Sequence, residues 1–541
     1  MKLLASIELR IFLTCWLVYS LFFATNVVRE HYPAFSLIER GDFVCDAYYG
    51  FHADIFRHSD GHAYVGNNVL GSVIAAVPLV VFDPVLDALE RNSKRKLREQ
   101  GPEAVDTTYD TKYPLRREMF RKVKRAGLDL RFGASTAITS ILLMAPLSAL
   151  MAVLVYRVLA GRGLGRRRAV WLALLFAFGT PVFHRTAHLN HNMFLMEALF
   201  VAFLLLWPRS GEHRLSLARR TWAGFLCGVA IALDYAGAVP AAVLGLYLVA
   251  TRMPTGGLKA ALRESVPFGL AALPPVAFLL WSQWAMYGDP FTPGQFVMPA
   301  QNVFTDVGLH GMGLPSPEVF LKNLVSPSFG LLTFGPLLAF GLIPARRYPR
   351  AALLFPCRER RWSIVFVLTF MLFCAANWYS LLQFNTGFRY LLPVVPFLFL
   401  AASDHLARLP ARWLALVTVL AVGHTTVLSM TREVNDTELE LRQAARELGV
   451  PEVRVPGYWN RLLTETPVPM SYRRIASEGP QLPWLTVLRQ TSPGRQALLG
   501  NPWLPVALIA LCGLAVLGLW RSGPRIPESS PGPLPSSRGT S

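Results

Sequence analysis

The connectors between the apolar stretches of this chain alternate between arginine-rich and arginine-poor, and that alternation constrains how the chain can be threaded through a membrane. Apolar runs recur from Leu9 to Trp520. Arg162, Arg166, Arg167 and Arg168 crowd one connector, and Arg209, Arg214, Arg219 and Arg220 a second. Arg252, Lys259 and Arg263 mark a third, and Arg346, Arg347, Arg350, Arg358, Arg360 and Arg361 a fourth. The connectors around 235–240 and 383–387 carry almost no cations. Short basic loops stay cytoplasmic, because a charge at the bilayer centre costs roughly 2.5–3.5 kcal/mol on insertion scales. The arginine-poor face then points outward, and the chemistry is expected there.

With 53% hydrophobic residues over 541 positions, one polytopic membrane body is the expected class, rather than several soluble domains. A formal charge of +19 would ordinarily suggest nucleic acid. Here much of it lies in connectors between apolar spans, so topology accounts for it. The six cysteines are dispersed, only Cys45 falling in an expected external loop, and no CxxC pair or disulfide framework is visible. The first 26 residues have no small-residue cleavage site and read as a retained helix.

About twelve spans are expected, at 9–27, 134–158, 169–183, 193–208, 222–238, 239–251, 266–286, 329–344, 363–381, 389–402, 412–429 and 503–520. The segment 69–89 is apolar enough to be another. Parity argues against it: the chain is outside at Arg29 and inside at Arg162, and the span at 134–158 supplies the single crossing required. The segment 69–89, broken by Pro78 and Pro84, then lies as an interfacial helix within a long external loop, 28–133. The basic stretch 94–125 is placed outside by this threading, which long loops tolerate. Residues 1–429 form the body, 430–502 an external segment and 503–520 a last span. A cytoplasmic, disordered Pro- and Ser-rich tail occupies 521–541.

Ionisable and aromatic residues concentrate in the first external loop, among them Arg29, Glu30, His31, Asp46, His52, Asp54, Asp60, His62 and Tyr64. Single residues of this kind are ordinary in solvated loops; their density between a first span and an interfacial helix is what selects them. His184, His188 and His191 share a helical face by spacing, but no HExxH pattern accompanies them, so hydrogen bonding is the preferred reading over a metal site. Asp234 and Tyr235 end an apolar span. Arg389 begins another, as a lipid anchor or as a phosphate ligand. Asp289 reads as a turn residue.

The order of motifs resembles the GT-C membrane glycosyltransferases, in particular bacterial relatives of dolichyl-phosphate-mannose protein mannosyltransferases and the lipid A aminoarabinose transferase. Carrying the resemblance are Asn26-Val-Val-Arg29, Leu37-Ile-Glu-Arg-Gly41-Asp-Phe43 with Asp46, Gly61-His62-Ala-Tyr64 through Asn67-Asn68, and Gly71 to Pro78. Arg131, Phe178-Gly179-Thr180 with His191, Leu324-Val-Ser-Pro327 with Gly330-Leu-Leu, and Gly387-Phe-Arg389-Tyr390-Leu-Leu-Pro393 complete it. The resemblance implies transfer of a sugar from a polyprenyl-phosphate donor to a lipid, glycan or protein acceptor at the outer face of a bacterial inner membrane. It implies inversion at the anomeric carbon, a carboxylate general base worth roughly 10²–10⁴ in rate, and cationic groups for the leaving phosphate. No tightly bound cofactor and no metal are expected. The acid that relatives place after the first span falls on Asn26, an amide, and their lysine before the interfacial helix falls on Asn67 or Asn68. The base is therefore assigned to Asp46 first, Glu30 second and Asp54 third. Substrate and phosphate contacts are assigned to Arg29, Arg131 and Arg389, with His62, Tyr64, His191 and Asn26. Competing readings are a transporter or lipid flippase, whose ionisable residues would lie at mid-depth in repeated halves, and an inactive scaffold, which Asn26 favours.

Overall fold

Helices dominate the described residues, and the one sheet among them has two strands. The computed structural model describes residues 6–101, 114–208, 215–299, 303–381, 387–433, 437–490 and 493–522. Most of the tail and parts of the connectors at 209–214 and 382–386 lie outside the described residues. Helix α1 (Ile7–Leu21) begins at Ser6, whose side chain accepts the Leu9 N–H. Then follow α2 (His31–Arg40), a hairpin of β1 (Ile55–Arg57) and β2 (Ala63–Val65) pairing Phe56 with Tyr64, and the long α3 (Leu70–Gln100). After α4 (Pro114–Arg125), α5 (Asp129–Thr139) passes through a π turn (Ser140–Met144) into α6 (Ala145–Gly161). The body continues with α7 (Arg166–Gly179), α8 (Val182–Arg185), α9 (His191–Leu206), α10 (Leu217–Leu233) and α11 (Ala238–Tyr287). Helices α12 (Gly294–Val297), α13 (Pro317–Val325) and α14 (Leu331–Phe334) lead to α15 (Cys357–Ala376), α16 (Val395–Leu406) and α17 (Ala411–Thr431). Short helices α18 (Thr437–Leu448), α19 (Tyr458–Thr464), α20 (Pro467–Glu478), α21 (Pro483–Gln490) and α22 (Pro493–Leu499) precede α23 (Leu504–Arg521).

Among the described residues, six helical runs are long and apolar enough to cross a membrane: Leu70–Glu99, Asp129–Gly161, Tyr235–Pro254, Gly256–Tyr287, Ala411–Thr431 and Leu504–Arg521. The expected dozen is not met by length, because α1, α7, α9 and α10 have 15, 14, 16 and 17 residues, short of the ~20 that span a bilayer unaided. The span expected over 329–344 is one turn of α-helix followed by a 3-10 segment, Pro336–Leu342, broken between them at Gly335. Conversely, 239–251 and 266–286 join into one run, α11, kinked at Gly257 with φ 70°, a conformation glycine adopts without a Cβ clash. Gly224 and Gly228, one turn apart on α10, let α11 approach so closely that a Cβ at either would overlap the carbonyls of Phe268 or Ala272.

The arginine-rich connectors collect at one end of this body. Arg168 donates to the Leu409 carbonyl and Arg220 to that of Glu264 at 2.6 Å. Arg360 and Arg408 clasp the fully buried Asp404 at 2.7 and 3.0 Å. Described residues of the 28–133 segment pack together at the opposite end, where His31 meets Thr139 and Arg131 meets Glu39. Helix α3 is long enough to span, yet both of its ends stay there: Gly71 lies against His191 at the head of α9, and Ser93 donates to Asp129 at the head of α5 at 2.6 Å. Its outward face, Val77, Val80, Val81 and Val85, is exposed. The segment after α17 packs at the same end, where Trp484 donates to the Leu21 carbonyl at 3.0 Å and stacks on Phe23.

Candidate functional site

The residues that carry chemistry are brought together where α1, α9 and α10 reach the end away from the short basic connectors. Beyond α1 the backbone is extended, held by the Ala24 N–H on the Ala187 carbonyl at 2.8 Å. It turns at Arg29 and Glu30 into α2. His31 fixes that turn: its Nδ1 accepts the Val28 N–H at 3.2 Å, leaving Nε2–H to donate to Thr139 Oγ1 at 3.1 Å. Burial pushes His31 down to about 4, so the ring is neutral at pH 7.

A narrow cleft of about 50 Å³ opens beside this turn. Arg29 and Asp54 from the first loop line it, with Asn67 and Asn68 ahead of α3, His191 at the head of α9, Asp234 and Tyr235 beyond α10, and Arg389 and Tyr390 after the 382–386 connector. Gln295, Met298, Thr305 and Tyr379 also line it. Arg29 Nη1 meets Asp54 Oδ2 at 3.1 Å. Burial works to raise the Asp54 carboxyl, but His52, Arg29 and Arg389 outweigh it and hold the group below the usual carboxylate range. Burial likewise lowers the Arg29 guanidinium less than Asp54 and Glu30 raise it, so it stays charged. Arg29 thus pairs with Asp54, and Arg389 lines the same cleft. An anion with more charge and more oxygens, such as a phosphate, fits the same donors.

In the same lining, Asp234 leaves α10 with extended backbone, φ −156° and ψ 135°. Its Oδ1 takes the Ala236 N–H at 2.9 Å. Its Oδ2 lies 3.3 Å from His191 Nε2, and His191 Nδ1 lies 2.5 Å from Glu30 Oε1. Glu30 is buried behind the histidine. Burial acts to raise its carboxyl, but His191 and Arg29 together hold it far below the usual range. A larger cavity, about 730 Å³, lies along α1, α6, α9 and α10 with walls that are apolar apart from Ser6, Glu8, Arg157 and Glu197. The smaller cleft carries the polar chemistry.

No protein-family model matches the chain, and no curated protein matches it. One solved structure is similar. It is the crystal structure of ArnT from Cupriavidus metallidurans bound to undecaprenyl phosphate, a GT-C glycosyltransferase, matching over 95% of this chain and 75% of that one. Identity is 16% and the TM-score 0.46. The likeness is distant.

Of the residues selected from sequence, the cleft gathers Arg29, Asp54, His191 and Arg389, with Glu30 directly behind. Asp46, the first choice for the base, is elsewhere. It is half exposed and ties down the hairpin, taking the Ala63 N–H at 2.6 Å and His62 Nδ1 at 2.8 Å; the His62 hydrogen bond holds its carboxyl low. Its partner His62 is therefore also outside the cleft. Tyr64 is buried against Tyr287 and donates to Asp60 at 3.0 Å. Asn26 sits in the extended segment before the turn and does not line the cleft.

Arg131 is buried among Glu39, Asp83, Asp87 and Glu90 at 2.9, 3.4, 2.7 and 2.9 Å, pinning α3 to α5 instead of facing a phosphate. The histidine trio diverges because residues 186–190 are not helical: His184 packs near Phe334, His188 faces Arg432 at 2.8 Å, and His191 faces the two acids. Among the described residues no cluster of three His, Cys, Asp or Glu side chains stands ready for a metal. Asp234 was visible in sequence only as a polar end to an apolar span. Its lone carboxylate in an arginine-poor connector was the available signal.

Proposed function

We propose that the chain is a GT-C type membrane glycosyltransferase that moves a sugar from a polyprenyl-phosphate donor to an acceptor hydroxyl at its extracytoplasmic end. The observation that carries this reading is the cleft itself, which Arg29, Arg389 and the Asp234 carboxylate line together. The donor phosphate takes the place of Asp54 beside Arg29 and is also bound by Arg389. Asp234 accepts the proton of the acceptor hydroxyl. The acceptor oxygen bonds to the anomeric carbon from the face opposite the phosphate. The carbon–oxygen bond to phosphate breaks with its electron pair, and the charge left on the phosphate is balanced by Arg29 and Arg389. This assignment replaces Asp46 with Asp234 as base and keeps Asp54 as the partner of Arg29.

The motif order agrees with this reading, as does the exposed apolar face of α3, whose N-terminal turn packs against His191 and Glu30 and so leads a lipid chain toward the cleft. The test uses the purified full chain in nanodiscs with a panel of polyprenyl-phosphate sugars and an extract of envelope lipids and glycans. Wild type is expected to release polyprenyl phosphate and label an acceptor, and Asp234→Asn to bind donor without turnover. Full turnover by Asp234→Asn would refute the base assignment, and no donor binding by wild type would refute the class.

A further inference from the structure

The cleft carboxylate Asp234 does not stand alone. Behind it runs a buried line of three groups from three separate stretches of chain: Asp234 Oδ2, 3.3 Å to His191 Nε2, then His191 Nδ1, 2.5 Å to Glu30 Oε1. His191 and Glu30 are 5% exposed, so water does not compete for these bonds. An imidazole with a carboxylate oxygen at each nitrogen is stabilised as a double donor. Asn192 fits that state. Its amide lies 3.1 Å from the same Nε2 and its Oδ1 has no partner; a half-turn of the amide brings that oxygen onto the Nε2–H.

We infer that Glu30, His191 and Asp234 act as one hydrogen-bonded relay, in which His191 is a positioning residue that aims Asp234 and Glu30 preserves its basicity. The inference rests on the glycosyltransferase reading for its catalytic meaning. A lone imidazolium beside Asp234 would weaken it as a base. Glu30 on the far side cancels that cation, so the triad carries one net negative charge, presented at the cleft. The N–H of His191 and the N–H of Ala236 each hold one oxygen of Asp234, fixing the carboxylate plane. Arg29 faces the line from the first loop, 3.7 Å from Glu30, and is itself balanced by Asp54. When the acceptor proton reaches Asp234 the acid stays bonded to His191, and the proton leaves to water after product departs. Gly71 completes the arrangement: a Cβ there would stand 3.3 Å from the Cβ of His191 and 3.7 Å from Glu30 Cγ, so any larger residue presses on the line.

The test has two arms on the full chain in nanodiscs. Magic-angle-spinning NMR of ¹⁵N-histidine-labelled protein at pH 7.5, assigned against His191→Gln, is expected to show both ring nitrogens of His191 protonated. Glu30→Gln should return one of them to the bare form. In the kinetic arm, with polyprenyl-phosphate sugar as probe, Glu30→Gln should lower kcat about 10- to 100-fold with KM for donor changed less than threefold, and should shift the acid limb of the kcat profile. A purely structural role would reduce the yield of folded enzyme and leave that limb in place. A neutral His191 ring in wild type overturns the relay whatever the enzyme does. An unchanged kcat profile in Glu30→Gln overturns it as well. A protonated ring in a protein that transfers no sugar overturns the glycosyltransferase reading instead.

Discussion

Replacing Arg131 by leucine separates two roles that sequence alone confuses, a phosphate ligand and a structural clasp. The side chain is 4% exposed and is bonded to carboxylates from α2 and α3, with Glu39, Asp83 and Asp87 each about a third or more exposed and Glu90 less so. Removing one partner of a buried ion pair costs about 3–5 kcal/mol. The four acids here are partly hydrated, so we discount this to about 2–3 kcal/mol. The cost falls on the docking of α3 against α5, because three of the acids belong to α3. By the relation of tenfold per 1.4 kcal/mol, hydrogen exchange of the α3 amides near 83–93 should accelerate about 30- to 140-fold. Arg131→Lys should recover only part, since one ammonium cannot serve four acids in a fork geometry. Adding Asp83→Asn and Asp87→Asn to Arg131→Leu should slow the exchange again by relieving repulsion. Unchanged exchange in Arg131→Leu together with a raised KM for donor would refute the clasp and restore the phosphate role.

Three further outcomes are expected. Asp46→Asn should retain transfer within twofold of wild type in the nanodisc assay, because its carboxylate serves only the hairpin turn; loss of turnover would return it to the site. His31 has a folded value of about 4 against an ordinary 6.5, so its contribution to stability is complete above pH 6.5 and falls away as pH drops toward 4. That amounts to about 3 kcal/mol at most, and thermal unfolding of His31→Gln across this window should show a correspondingly flatter pH dependence than wild type. Gly228→Val should prevent accumulation of folded protein, measured by monodisperse yield in detergent, because the α11 backbone at Ala272 occupies the space of the new side chain.

The arginine pattern made the two ends of the body legible, because charge placement is a property of single connectors and needs no knowledge of packing. The same logic gives the expectation that α3 lies at the interface, although its length and apolarity also suit a crossing. What the pattern could not show was which loop residues face inward. Asp46 and Asp54 look alike in sequence, eight positions apart in one polar loop. The hairpin turns Asp46 toward His62 and solvent, while Arg29 draws Asp54 into the cleft. The periodicity that grouped His184, His188 and His191 assumed a helix that stops at Arg185. Asp234 and Glu30 meet only through His191, across 204 positions of chain, a juxtaposition set by the packing of α9 and α10 and invisible to any local pattern.

The bare valine face of α3 begins about two turns beyond Gly71, which packs against His191, and lies open along the body's flank. Reactants that approach along it travel in two dimensions. Their effective concentration is then their fraction among surrounding lipids, and diluting the bilayer with inert phospholipid at constant bulk amount should slow the reaction as surely as withholding substrate.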